Sequence, residues 1–413
     1  MMDLNTVCFI LFGLLFIGFL VLEGFDYGVG MLLPFLGESD SQRQAIIGTL
    51  APVWEGNEVW LVGAGAVLFA AFPNAYATLF SGLYLALLLI LVPLIMRGAA
   101  FEFRNKDTSL KWRKLWDCAI FGGSVLPALL WGIAVTNLLG GLPINGEMQF
   151  AGVFGDLISI YTLTGGLVFT SLFLLHGVAY LTLKIDQRFV PQVRATGLII
   201  GKYAIALLAG FVILTLVFIG APIAWGIMLT SVVALILCCR GLLNRRYAFS
   251  FVFSTTAIVC LTAGIFAGLF PRLIVSSLNP DWSLTIYNSA SNPLALKIMA
   301  VTMMIVLPVV IGFEVWKYTI FRQRTIIAEE SMESHGKLWE QLQGRLKELT
   351  GYADKISAAL TKIKTILDNE QRQKALKTKN SGVMKQTQEF KGLLWRGRRL
   401  AAIMRKLIGI LRP

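Results

Sequence analysis

Apolar residues run in nine long stretches through the first 320 positions, near 6–35, 48–71, 76–101, 115–139, 159–183, 198–219, 222–243, 247–271 and 294–320. One helical crossing of a bilayer takes roughly 20 such residues. The pattern therefore predicts an all-α, polytopic membrane protein of about nine transmembrane helices in four-helix-bundle-like groups. The opening residues, Met1-Met2-Asp3-Leu4-Asn5, lack the Lys/Arg-rich lead of a signal peptide. No small-residue cleavage pattern follows up to Phe35, so the first run is expected to be kept as a span. Beyond about residue 325 charge takes over: residues 325–413 hold 18 Lys and Arg against 9 Asp and Glu, compared with 19 against 15 in residues 1–324. That shift divides the chain into a membrane domain, 1–324, and a basic extension, 325–413.

Composition narrows the class further. A chain that is 56% hydrophobic and 15% charged, with a mean hydropathy of +0.70, lies outside the range of an ordinary soluble domain. The basic residues then orient it, because cytoplasmic loops collect Lys and Arg. Arg43 falls in the first loop, Arg97, Arg104, Lys106, Lys111, Arg113 and Lys114 fill or flank the third, and Lys184, Arg188, Arg194 and Lys202 mark the fifth. Arg240, Arg245 and Arg246 mark the seventh, and Lys317, Arg322 and Arg324 follow the ninth span. Only Arg272 and Lys297 belong to the other side, so the N-terminus is expected outside and the C-terminus in the cytoplasm. The longest outer loops, 140–155 and 276–293, are too short to hold a sizeable domain.

Two stretches carry acid where a span should carry none: Leu22-Glu23-Gly24-Phe25-Asp26-Tyr27-Gly28-Val29-Gly30 and Ala51-Pro52-Val53-Trp54-Glu55-Gly56-Asn57-Glu58-Val59-Trp60. A carboxylate near a bilayer centre costs a few kcal/mol and persists only when it faces protein interior. Glu23, Asp26, Glu55 and Glu58 therefore read as a proton or ion path; the plainer alternative is that they bond helices together through backbone groups or Asn57. Glu55 and Glu58, three apart, share a helix face. In low dielectric such a pair does not ionise twice, so one member holds a proton, which is the property a relay needs. On the expected topology Glu23, Asp26 and Glu55 lie in the cytoplasmic half, and Glu102 stands at the inner end of the third span like a mouth residue. Gly24, Gly28, Gly30 and Gly56 are suited to close helix approach. Trp54 and Trp60 are expected as packing residues or walls of an apolar passage. Glu314 and Lys317, three apart, are expected to pair.

Histidine and cysteine limit the metal chemistry. Only His176 and His335 are present, and His335 lies in the extension, so two intramembrane His ligands for a haem are not available. His176 reads as a hydrogen-bonded residue between helices. Cys8, Cys118, Cys238, Cys239 and Cys260 lie in apolar runs without a C-x-x-C pattern, so no metal site is expected.

The segments Gly24-Phe25-Asp26-Tyr27-Gly28-Val29-Gly30-Met31-Leu32 and Trp54-Glu55-Gly56-Asn57-Glu58-Val59-Trp60-Leu61 resemble subunit II of the cytochrome bd-type quinol oxidases. The likeness extends through Phe69-Ala70-Ala71-Phe72-Pro73, Phe80-Ser81-Gly82-Leu83-Tyr84, Arg97 to Arg104, Trp112-Arg113-Lys114-Leu115-Trp116-Asp117 and Leu261-Thr262-Ala263-Gly264, covering most of residues 1–324. The resemblance implies a heterodimer in a bacterial plasma membrane. Its subunit I holds haem b and haem d and reduces oxygen with quinol, and a haem-free subunit II accompanies it. It implies proton transfer at Glu55, Asp26, Glu23 and Glu102, to which the helix face shared with Glu55 adds Glu58, and an oxygen passage with Trp60 as a wall residue. Some members hold a structural quinone or bind small accessory subunits. Glu at positions 55 and 102, where relatives often have Asp, keeps the titrating group but lengthens it by a methylene.

The extension departs from the family, whose members usually stop near Arg324. Leu338, Leu342, Leu346, Leu349, Ile356, Leu360, Ile363 and Leu367 recur at helical steps, interrupted near Gly351. Leu393, Leu400, Ile403, Met404, Leu407 and Leu411 oppose Arg398, Arg399, Arg405, Lys406 and Arg412. A basic amphipathic helix of this kind suits an anionic inner leaflet; Gly392, Gly397 and Gly409 weaken it and leave a solvated tail as the alternative. No nucleic-acid-binding motif accompanies the charge. The competing reading for the whole chain is a proton-coupled secondary transporter, which also needs intramembrane acids and glycine-interrupted helices.

Overall fold

The computed structural model describes residues 3–219 and 222–327, together with Lys355, Ala358 and Thr361. The helices expected in the extension lie outside the described residues. The remainder is a helical bundle whose first helix, α1 (Leu4–Leu36), is capped by Asp3 accepting from Thr6 N at 2.9 Å. Ser39 and Gln42 form a capping box for α2 (Asp40–Leu50). Ala51-Pro52-Val53 breaks the chain before α3 (Trp54–Ala71), because proline cannot continue a helical ladder. The third expected span is divided as well, into α4 (Pro73–Gly82) and α5 (Tyr84–Phe103).

Then follow α6 (Leu110–Gly140), α7 (Ile160–Lys184), α8 (Val190–Ile219), α9 (Pro222–Leu243), α10 (Tyr247–Leu269) and α11 (Pro293–Ile320). Among the described residues eight helices are long and apolar enough to cross a membrane, one fewer than the nine runs. The exception is α3, whose first turns carry Glu55, Asn57 and Glu58. Between α10 and α11 a short antiparallel pair, β1 (Arg272–Ile274) and β2 (Leu284–Thr285), ties one end together with a bridge from Leu142 to Ser276.

The core runs along α1 and α7, which are the most deeply buried helices. Helix α1 packs on α3, α6, α7, α10 and α11, while α7 packs on α1, α6, α8 and α10. Two sets of helices thus meet along the α1–α7 seam, α3, α5 and α6 on one side and α8 to α10 on the other. Lipid tails are as apolar as Leu, so such a seam is held by close packing and polar bonds. At Gly28 a Cβ would run into the Phe173 carbonyl and the Gly177 backbone, so the two helices touch main chain to main chain. Gly24 faces the Phe173 ring in the same seam, and Gly30 faces Ser124 of α6.

Loop charges pair at one end of the bundle. Asp40 accepts from Arg104 at 2.8 Å and from Arg113, and Asp117 accepts from Arg104 at 2.6 Å and Arg43 at 3.0 Å. The same end carries the clamp on the chain leaving α11: Thr325 N donates to Lys184 O at 2.7 Å, and Arg324 donates to Ile185 O at 2.6 Å.

Candidate functional site

Glu23 and Asp26 stand three residues apart on α1, wholly buried, and face α3, α5 and α11. Arg97, on α5 and also fully buried, donates from Nη2 to Glu23 Oε1 and, at 3.2 Å, to Glu58 Oε1 on α3. Its guanidinium lies 4.8 Å from the Tyr27 ring centroid, a cation–π contact strengthened by the dry surroundings. Asn57 Nδ2 donates to Asp26 Oδ2 at 2.7 Å. Asn57 Oδ1 accepts from Tyr318 OH at 2.8 Å and from Lys317 Nζ at 3.3 Å, both on α11. Lys317 also pairs with Glu314 at 2.7 Å and donates to the Val53 carbonyl at 3.1 Å.

These contacts make two linked groups, Glu314–Lys317–Asn57–Asp26 and Glu23–Arg97–Glu58, which adjoin through the three-residue spacing of Asp26 and Glu23 on α1 to form one row of four carboxyls against two bases. The row begins at the buried Glu314 and Lys317 in the last turns of α11 and ends on Glu58, whose side chain is 35% exposed. No donor among the described residues reaches Glu23 Oε2 or Asp26 Oδ1. Buried acceptors without donors are rare in folded proteins.

The sequence-based candidates divide. Glu23, Asp26 and Glu58 meet in the row, whereas Glu55 and Glu102 are exposed on the outside of this chain and do not join it. Trp60 is buried against Gly18 of α1, with no partner for its indole N–H among the described residues. His176 lies between helices, with Nδ1 2.7 Å from Ser254 Oγ, Nε2 3.1 Å from Val21 O, and its ring stacked on Phe251. Both ring nitrogens are therefore engaged, and among the described residues no group of three or more His, Cys, Asp or Glu could hold a metal ion.

Arg97, grouped in the sequence with the loop charges, and Tyr318, which bonds to Asn57 beside the row, escape the sequence reading; the expected Glu314–Lys317 pair is present, and Asn57, named there as a bonding partner of the acids, meets Asp26. A signal for Arg97 was present, since Gly98-Ala99-Ala100-Phe101 continues the apolar run beyond it and sets it inside the span. For Lys317 the sequence offers Glu314 three residues before it, and only the fold adds Asn57. A surface cleft of about 400 Å³ lies away from the row, lined by Thr164, Tyr203, Ala206, Leu207, Gly210 and Leu214. A smaller one, about 220 Å³, opens at the basic end beside Thr49, Pro52, Lys184 and Arg324, next to the Val53 carbonyl that holds Lys317.

Fold and site together define a multi-pass α-helical membrane protein with an ion-paired row of acids through its middle. Comparison with known proteins makes this specific. The chain belongs to the family of cytochrome bd terminal oxidase subunit II, whose model matches residues 4–321. It is 38% identical over 330 residues to the cytochrome bd ubiquinol oxidase subunit 2 of Bacillus subtilis (strain 168), a match spanning 78% of this chain and 97% of that one. With the cytochrome bd-I ubiquinol oxidase subunit 2 of Escherichia coli (strain K12) it shares 33% over 355 residues, 76% of this chain and 93% of the relative. Its fold is similar to a chain of the bd oxidase from Geobacillus thermodenitrificans, with a TM-score of 0.64 at 20% identity over 78% of this chain and 99% of that chain. The family match ends at Phe321, so residues 322–413 lie beyond it.

Proposed function

We propose that this chain is the haem-free subunit of a bd-type quinol oxidase in a bacterial plasma membrane. In this reading it assembles with a haem-bearing subunit I and leads protons from the cytoplasmic side toward the partner's oxygen-reducing site. Haem in the partner supplies the oxygen chemistry; this chain supplies the carboxyls along which a proton moves. The observation that carries the reading is the buried row ending on Glu58, with Glu55 one turn away on the same outer side of α3. An outward face bearing carboxylates is costly against lipid, so it is a face that protein covers. Exposed apolar side chains continue that face, among them Val59, Val62 and Phe69 on α3 and Ile95 on α5. Engagement of both His176 nitrogens supports a haem-free chain.

Protons would enter by the small cleft at the basic end, reach Asp26 past Asn57, and pass by Glu23 and Glu58 to Glu55 at the subunit boundary. Arg97 holds Glu23 and Glu58 in line and keeps the row from binding a passing metal cation. Family membership favours this over a transporter that works alone.

The test is quinol-driven oxygen consumption by the purified, assembled complex. Asp26→Asn and Glu55→Gln should each lower turnover by about a hundredfold or more, the range removal of a proton-transfer group produces, while haem absorbance and partner recovery stay as in the unaltered complex. Wild-type turnover in an assembled Asp26→Asn complex would reject the proton route. Loss of assembly instead would favour a purely helix-bonding role.

A further inference from the structure

We propose that Lys317 is a positioning residue for Asp26: it fixes which end of the Asn57 amide faces that carboxyl. The inference rests on the proton-route reading above and extends it to α11.

The argument is one of donors and acceptors. An ammonium group only donates, so the Asn57 atom 3.3 Å from Lys317 Nζ has to be the carbonyl oxygen. That assignment turns the amide NH2 toward Asp26, where it donates to Oδ2 at 2.7 Å. Tyr318 OH fills the second acceptor site of Oδ1 at 2.8 Å, but a hydroxyl can donate or accept and does not choose the orientation by itself. Leu22 O, an acceptor 3.5 Å from Nδ2, favours the same orientation from α1 through a long bond, and of the two groups on α11 only Lys317 forbids the flipped amide. Flipped, the amide would turn its carbonyl to Asp26, and the contact would survive only if Asp26 kept a proton and donated it. A carboxyl held in that bond is a poor relay.

The surroundings are built around this arrangement. Helix α11 is shallowly packed, and its buried residues are Leu296, Ala300, Glu314 and Lys317, so a charged pair occupies most of its grip at the inner end. A Cβ at Gly56 would meet Lys317 Nζ and, at 3.0 Å, Glu314 Oε1. The glycine of Trp54-Glu55-Gly56-Asn57 thus makes room for the α11 ion pair one residue from the amide it orients. A pair serving only to attach α11 would need neither the bond to Asn57 nor its place beside Asp26.

The experiment uses the assembled oxidase. Glu314→Gln combined with Lys317→Met removes both charges of the pair, leaving no lone buried ion. Turnover should fall by up to about a hundredfold, the size a misplaced proton-transfer partner can cost. In infrared difference spectra the carboxyl band identified with Asp26, by its loss in Asp26→Asn, should move. Lys317→Arg keeps a donor-only cation and should restore most of the turnover, and Tyr318→Phe should lower it less than the double variant does. Asn57→Asp takes the NH2 donor from Asp26 directly; it should reproduce the loss and carries the test if the double variant does not assemble. Wild-type turnover in both the double variant and Asn57→Asp, with Asp26→Asn slow, overturns the role of Lys317 alone. Wild-type turnover in Asp26→Asn overturns the proton route itself.

Discussion

Arg97 meets Glu23 and Glu58 where neither water nor a lipid headgroup reaches its guanidinium, so its charge is balanced entirely by protein. Breaking a buried pair from one side leaves an uncompensated ion, at a cost of about 3–5 kcal/mol, whereas removing both charges is far milder. Arg97→Leu is therefore expected to abolish recovery of the folded complex. Arg97→Gln with Glu23→Gln should return much of the yield, measured as complex recovered per unit of membrane. Equal yields for the two variants would contradict the pairing.

The same residues mark how far side-chain chemistry is legible in the chain. Glu23, Asp26, Glu55 and Glu58 are visible because acid in an apolar run is costly, and that argument needs no structure. Which of them is buried depends on neighbours: three meet Arg97 and Asn57, while Glu55 points out of this chain. Asn57 and Lys317 carry no comparable signal, since an amide or a lysine near the end of a span is ordinary.

At the scale of helices, the crossing of α1 and α7 decides whether the row can form. Asp26 lies within a turn of Gly28 and Glu23 within two, where the two backbones touch, and any side chain there wedges the seam open. Overpacking of this kind costs about 1–3 kcal/mol or more where no rotamer escapes the clash. Gly28→Val should lower complex yield, and any complex that forms should lose turnover as well, because Asp26 moves with α1. Gly177→Val, on the opposing helix, should behave alike; tolerance of both would mean that the helices do not meet there.

Helix positions followed closely from the apolar runs, since a span must satisfy its own backbone. The breaks did not. Pro52 was readable as a stop, but the end of α4 at Gly82 falls within an apolar run. The count of nine runs against eight sufficiently apolar helices has a physical source in α3: its polar first turns serve the row at the expense of lipid compatibility.

Across the whole molecule, the region just after α11 is tied to the loop between α7 and α8. Asp186 accepts from Arg188 at 3.0 Å and from Ile327 N at 3.4 Å. The hydrogen bonds from the Arg188 side chain and backbone hold its carboxyl down to about 2. A carboxyl lowered in the folded state stabilises it above the ordinary carboxylate value, and the effect fades as pH falls from there toward about 2. The tether is thus complete at neutral pH. Asp186→Ala should make tryptic cleavage after Arg322 and Arg324 faster at neutral pH, read by mass spectrometry of the fragments; an unchanged rate would show the segment held by Lys184 and Ile185 alone.

Residues 322–413 lie beyond the family match, while relatives are covered over 93–97% of their own length. Deleting 328–413 should therefore leave assembly and oxygen consumption in detergent intact. Loss of turnover on that deletion would assign the extension a part in the oxidase itself.

The sequence by itself determined the helical membrane class, the positions of most spans and the presence of costly intramembrane acid, because burying apolar runs and avoiding charge in lipid are local demands. Only the tertiary structure decided which acids face inward, that Arg97 and Lys317 answer them, and that Asn57 is held between two helices far apart in the chain. Those outcomes depend on distances across helix seams, and a linear order of residues does not contain them.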